Sequence, residues 1–216
     1  MVILGLGSNL PSSFGDRFKN IEIAISYLNK YEIKVIKKSS LYETPSYPNK
    51  DNPKFINMII EAKTQLNPTD LASVLISIEE ILQRKRWKKN DPRTCDIDII
   101  DYNNQIINFK YKNLDFIVPH SKLIYRNFVL FPLQEILPEW KHPVTKDNIG
   151  CLIKRLSDED KKSILKINKT WYINQMLKQK DLIKKVQNYN KFLNPETLSK
   201  AYTFALNAHR DQKILI

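Results

Sequence analysis

Pro92-Arg93-Thr94-Cys95-Asp96-Ile97-Asp98-Ile99-Ile100 sets two carboxylates two residues apart inside an apolar run. The run reads as a β-strand from about Thr94 to Tyr102. Successive side chains on a strand point to opposite faces. Asp96 and Asp98 therefore share one face, and Cys95, Ile97 and Ile99 share the other. Two like charges side by side disfavour ionisation, and a divalent cation is the simplest compensation. Arg93 lies just upstream, where it can hold an anionic ligand of that cation. Carboxylate pair, cation and arginine together point to phosphoryl chemistry. A solvated edge strand with two surface acids would show the same pattern, since a bare Asp-x-Asp occurs often by chance.

Working outward from this strand, Val2 to Leu6 is a short buried strand, broken by Gly7-Ser8-Asn9-Leu10-Pro11. Phe18, Ile21, Ile25 and Leu28 recur at helical spacing over about 14–30. Ile33 to Glu43 reads as a strand stopped by Pro45 and Pro48, and Phe55 to Thr64 as another. Asn67 is placed to cap a helix with Pro68 in its first turn. Leu71, Val74, Leu75, Ile78, Ile81 and Leu82 give that helix an apolar stripe. A further helix is expected near Phe128 to Ile136. The order β-α-β-β-α-β predicts an α+β, ferredoxin-like sandwich: an antiparallel sheet with helices packed on it. Such a fold hosts many functions, so function must be argued from the site. Residues 1–157 are expected to form this domain. Residues 158–216 read as a helical or partly disordered extension, with helical stretches at Trp171 to Tyr189 and Pro195 to Ala208.

Three further groups could carry chemistry. Arg84, Lys85, Arg86, Lys88 and Lys89 close the second helix, where they could surround phosphate oxygens as charge develops. Basic residues at a helix end also suit the macrodipole, so a solvated helix end fits equally well. Val118-Pro119-His120, followed by Arg126 and Phe128, puts a histidine in a turn near a guanidinium suited to phosphate, although a lone surface histidine is the commoner case. Thr44-Pro45 and Phe55-Ile56-Asn57 flank a polar loop; an aromatic with an amide can hold a planar heterocycle, while Phe55 also suits plain core packing. There is no P-loop, dinucleotide fingerprint or nucleophile elbow.

The chain has 216 residues and a formal net charge of +12, which suits anionic partners. Residues 1–150 carry 21 Lys+Arg against 17 Asp+Glu, a net of +4. Residues 151–216 carry 14 against 6, a net of +8. Most of the excess is thus remote from the Asp pair. Two cysteines make neither a disulfide framework nor a zinc pattern. With no signal-peptide pattern and no long apolar run, a cytoplasmic protein without a membrane partner is expected.

Taken together, Leu6-Gly7-Ser8-Asn9-Leu10, Tyr42-x-Thr44-Pro45, Phe55-x-Asn57, Pro92-Arg93-Thr94-x-Asp96-x-Asp98, Val118-Pro119-His120 and Arg126-x-Phe128-x-Leu130-x-Pro132-Leu133 resemble the 6-hydroxymethyl-7,8-dihydropterin pyrophosphokinase family, over about residues 2–155. The resemblance implies pyrophosphoryl transfer from ATP to the pterin hydroxymethyl group, leaving AMP, in folate biosynthesis. It implies two Mg2+ ions held by Asp96 and Asp98, with ATP as co-substrate. Arg84, Arg93, Asp96 and Asp98 would be catalytic. Glu79, Arg86, Lys89, Arg93, Ile99, His120 and Arg126 would line the ATP site. Thr44, Pro45, Phe55, Asn57 and Phe128 would form the pterin pocket. The chain departs from the family at Gln83, where glycine is usual, at Asn90-Asp91, where Trp-Gly is common, and at Asp115, where a basic residue is common. A monomer with no nucleic-acid partner is expected. The alternatives are an inactive paralogue, or a metal-dependent nucleotidyltransferase or nucleic-acid-binding protein. Leu198 to His209 also resembles the opening helix of guanosine tetraphosphate hydrolase domains, without the metal ligands such a domain needs, so no second activity is expected.

Overall fold

The apolar run at the N-terminus becomes the central strand β1, Val2–Ser8. The computed structural model describes residues 1–86, 91–167, 180–184, 186 and 194–208. The chain divides into two compact units, Met1–Lys166 and Ile167–Ile216.

In the first unit, β1 is followed by α1 (Arg17–Lys30), β2 (Lys34–Lys38), β3 (Tyr42–Thr44), β4 (Phe55–Lys63), α2 (Pro68–Ile81) and β5 (Asp96–Tyr102). β1 pairs antiparallel with β4 on one side and with β5 on the other. β2 and β3 both pair antiparallel with β4. Asp16 caps α1 by accepting from Lys19 N at 2.8 Å, and Asn67 caps α2 by accepting from Asp70 N at 2.9 Å. Such a side-chain oxygen satisfies an amide the helix itself cannot.

The strands alternate as their sequence implies. Ile3, Ile59 and Ile100 point to one face, where they form a core with Leu130 and Leu133 of α3 (Asn127–Ile136), Leu152 of α4 (Ile149–Arg155) and Trp140. Leu4, Leu6, Ile56 and Ile60 are buried on the other face, toward α1 and α2. Each fully buried aliphatic side chain of this kind contributes about 1.5–3 kcal/mol.

Three features differ from expectation. The single strand read over Ile33 to Glu43 is two. A bulge shifts the β2 register between Val35 and Lys37, and at Ser39 the ladder is half replaced: Ser39 N still donates to Ile59 O at 2.9 Å, but Ile59 N donates to Ser39 Oγ at 3.1 Å. A side chain that replaces a strand partner breaks the ladder at that point. Second, β6 (Ile107–Tyr111) and β7 (Leu114–Val118) form a hairpin that the sequence reading did not foresee. Its turn residues Lys112 and Asn113 both have positive φ, 47° and 62°, the signature of a type I′ turn. Third, the first unit also contains α5 (Asp158–Ser163) and a short strand β8 (Leu165–Lys166), which pairs with β3 and extends the sheet.

In the second unit, residues 180–184 are helical and α6 spans Pro195–Ala208. Most of the expected helical stretch at Trp171 to Tyr189 lies outside the described residues. Among the described residues, no helix is long and apolar enough to cross a membrane.

Candidate active site

Strand register assembles the site before any side chain turns. Gly7 on β1 stands opposite Asn57 of β4 and opposite Asp96 of β5. A methyl group on Gly7 would touch Asn57 Oδ1 at 3.5 Å, the Phe55 ring at 3.6 Å and Asp96 Cβ at 3.8 Å. One glycine thus leaves a shallow floor onto which amide, aromatic ring and carboxylate converge. Asn57 Nδ2 donates to Thr44 Oγ1 at 3.0 Å, which brings β3 into the same group.

The acids face the cations that the sequence suggested. Arg84 Nη1 bridges Glu79 and Asp96, and Arg86 Nη2 meets Glu79. Arg93 Nε lies 3.0 Å from Asp96 Oδ2, with its guanidinium 5.2 Å from the Phe55 ring centre. Arg126 Nη1 lies 3.4 Å from Asp98 Oδ2, with its guanidinium 5.4 Å from the Phe128 ring centre. His120 follows the cis Val118–Pro119 peptide, and its Nδ1 accepts from Lys122 N at 3.1 Å. Placing Glu79 here takes a buried carboxylate: its side chain is 3% exposed, and Oε1 also accepts from Ile97 N at 2.7 Å.

Burial and charge pull the carboxyls apart. Burial drives Glu79 up to about 7 against the opposing pull of Arg84 and Arg86. Burial also raises Asp96, but Arg84 and Arg93 outweigh it and hold this carboxyl below its ordinary value. Asp98 goes up, through burial and the neighbouring Asp96 charge, with His120 and Arg126 too weak to reverse it. Burial lowers His120 despite the Asp98 charge. Burial and the Asp96 charge oppose ionisation of Asp98, and a divalent cation between the two carboxyls would favour both ionised forms. Magnesium suits it chemically, because the oxygen ligands are hard and only two protein carboxylates are needed when water and phosphate fill the remaining positions. Among the described residues no cluster of three or more His, Cys, Asp or Glu offers a closed metal cage.

Of the residues singled out in the sequence, Thr44, Phe55, Asn57, Asp96, Asp98, Glu79, Arg84, Arg86 and Arg93 thus cluster around the start of β5, with Arg126, Phe128 and His120 entering from the other side. Pro45 directly follows β3. Ile99 differs: it is 4% exposed, and alternation turns its side chain away from the acids. Lys89 and Asn90 lie outside the described residues. Asp115 sits on β7 at 3.6 Å from Lys110, which spends its charge on the hairpin.

Four residues, Asn9, Ser8, Asn20 and Gln83, take positioning roles that the sequence did not reveal. Asn9 is buried, accepts from Arg93 N at 2.7 Å, and donates to Ser46 Oγ at 3.2 Å and Pro53 O at 2.9 Å. It thereby couples the Arg93 backbone to the loop between β3 and β4. Ser8 Oγ and Asn20 Nδ2 both donate to Thr94 O, at 2.6 and 2.9 Å. The signal was a polar Ser-Asn directly after a buried strand, where unsatisfied side chains need partners. Gln83 is the fourth. It has φ +65° just past α2; its N–H bonds Glu80 O and that of Arg84 bonds Glu79 O, both at 2.9 Å. This is a Schellman cap, a position that favours glycine. Its side chain compensates, as Gln83 Oε1 accepts from Ser13 N at 3.0 Å. Gln83→Gly is therefore expected to leave unfolding free energy within about 1 kcal/mol, whereas Gln83→Val should cost about 1–3 kcal/mol, read by urea titration.

The profile of the family 7,8-dihydro-6-hydroxymethylpterin-pyrophosphokinase (HPPK) matches residues 3–138. A 2-amino-4-hydroxy-6-hydroxymethyldihydropteridine pyrophosphokinase of Bacillus subtilis is 38% identical over 143 residues, 66% of this chain and 81% of the relative. The chain belongs to the HPPK family. The folic acid synthesis protein fol1 of Pneumocystis carinii is 38% identical over 164 residues, 76% of this chain. The chain spans only 21% of that relative's length. Among solved structures, HPPK-DHPS A437G/K540E of Plasmodium falciparum with pterin and p-hydroxybenzoate superposes with TM-score 0.63 at 20% identity, over 77% of this chain and 47% of that one. It shows the shared fold.

Proposed function

We propose that this HPPK-family chain transfers the pyrophosphoryl group of ATP to 6-hydroxymethyl-7,8-dihydropterin, giving AMP and the pterin diphosphate. One observation carries the reading: the register row Asn57–Gly7–Asp96 puts a heterocycle-reading amide and ring in contact range of a carboxylate that is itself held by two arginines. The sheet order β5-β1-β4 with β2 on the far side of β4, all antiparallel, supports the ferredoxin-like βαββαβ arrangement.

Phe55 and Phe128 would stack on the two faces of the pterin, while Asn57 and the Thr44 segment read its edge. Asp96 and Asp98 would hold two magnesium ions. Held there, the ions would supply positive charge to offset the charge that develops on the transferred phosphates. Arg84, Arg86, Lys89, Arg93, His120 and Arg126 would bind the triphosphate, with Glu79 holding Arg84 and Arg86 in reach. Ile99 could meet the adenine only through its backbone. The pterin hydroxyl then attacks the β-phosphorus in line, so catalysis rests on positioning and charge, with no covalent enzyme intermediate. Arg84 would have to leave Asp96 for phosphate as substrate enters. The chain would work as a cytoplasmic monomer, without nucleic acid, and residues after Lys166 would take no part in the chemistry.

The test is AMP release from ATP by the full chain, with and without the pterin and with and without Mg2+. AMP should appear only when all components are present. Release without pterin would favour a nucleotidyltransferase or hydrolase, and none under any condition an inactive paralogue.

A further inference from the structure

Ser157 to Lys166 lies beyond the residues 3–138 matched by the family profile, yet it touches both walls of the proposed pterin pocket. On one wall, Asn127 stands between Arg126 and Phe128. It is buried, and its Nδ2 donates to Asp160 O at 2.6 Å and to Ser163 Oγ at 2.9 Å. On the other wall, β8 pairs Leu165 with Glu43 and Lys166 with Tyr42, immediately before Thr44. Glu135 of α3 ties the walls together beside this ladder. It accepts from Tyr42 Oη and Ser40 Oγ, each at 2.8 Å, and lies 3.3 Å from Lys166 Nζ. Lys50, in the loop between β3 and β4, meets Glu159 at 2.7 Å; both are exposed, so this pair counts for little.

We infer that Ser157 to Lys166 is a strap that fixes the distance between the Thr44 wall and the Phe128 wall, and so sets affinity for the planar substrate. The inference rests on the pterin reading above. Stacking contacts are short-ranged: a gap of about 0.5–1 Å forfeits a quarter to a half of a dispersion contact. A wall free to relax by that amount would hold the ring poorly. The nucleotide side has other supports. Arg84 and Arg86 are held by Glu79, and Arg126 also reaches Asp98 on β5. The strap therefore acts on the pterin as a positioning element.

Two full-length variants test it. Asn127→Ala removes both donations to the strap. Leu165→Pro breaks the β8 ladder while leaving Asn127 in place. In steady-state kinetics, each should raise KM for the pterin about fivefold or more. KM for ATP should stay within about twofold of the parent. A merely structural role would instead lower the active fraction, reducing kcat with both KM values unchanged. Unchanged pterin KM in the folded variants, or an equal rise in both KM values, overturns the strap. If Asn127→Ala fails to fold, Leu165→Pro decides alone. If the parent chain forms no AMP, the activity reading falls, and the strap's substrate role falls with it.

Discussion

Asp98→Ala is expected to lower AMP formation by about a thousandfold or more while leaving the chain folded. Asp98 contributes little to the fold: among the described residues, the ion pair its carboxylate makes is with Arg126, at 3.4 Å. Its ionisation is opposed by burial and by Asp96. A carboxyl whose folded-state pKa lies above its unfolded value binds its proton more tightly when folded, so ionising it costs stability as pH rises through that range. Removing it should leave the thermal midpoint unchanged or higher at pH 7. That advantage should shrink below the ordinary Asp range, where the carboxyl is neutral in both states. A functional residue held at some cost to the fold would show this split between activity and stability. Full activity in the variant would remove the metal assignment; collapse of the fold would show that Asp98 is structural.

The largest loss of stability is expected at the base of the loop between β3 and β4. Arg17 Nη2 meets Glu43 at 2.9 Å, with both side chains below 10% exposure, at 8% and 5%. Arg17 Nη1 also donates to Lys54 O at 2.6 Å. Burial brings Arg17 down to about 10, so it remains charged at neutral pH. Arg17→Ala removes the guanidinium that faces a buried carboxylate and should cost about 3–5 kcal/mol in a urea titration. Replacing both partners, as in Arg17→Met with Glu43→Leu, should cost much less than the two single changes added together, because both buried charges are then removed together. Since Glu43 precedes Thr44 and Lys54 precedes Phe55, the pair also holds the two ends of the loop between β3 and β4. A loss below about 1 kcal/mol in Arg17→Ala would contradict this role.

Much of the site was legible in the sequence because it follows from alternation. The shared face of Asp96 and Asp98 needs only a period of two, and the strand pattern of β1, β4 and β5 needs only apolar runs and breaks. Asn67 and Pro68 marked the start of α2 through local chemistry. What was not legible depends on contacts distant in the chain. The β8 ladder is two residues long and lies in a Lys- and Ile-rich stretch with no turn signal, so nothing local marks its pairing with β3. The β6–β7 hairpin turns at Lys112-Asn113, which lacks the glycine of the strongest hairpin signals. Asn9 reads as a loop residue until Arg93, 84 positions away, comes to meet it. Gln83 departs from the usual glycine, and only its left-handed φ and its bond to Ser13 explain how the position tolerates a side chain.

In the proposed reaction the Asp96/Asp98 face would join the triphosphate of ATP to a pterin pocket for transfer of two phosphates at once. The decisive measurement is phosphorus NMR of a reaction containing the full chain, ATP, Mg2+ and 6-hydroxymethyl-7,8-dihydropterin. One AMP is expected for each pterin-bound diphosphate, with no reaction when Mg2+ is chelated. ADP with a pterin monophosphate, or free pyrophosphate with a pterin–AMP adduct, would overturn the assignment.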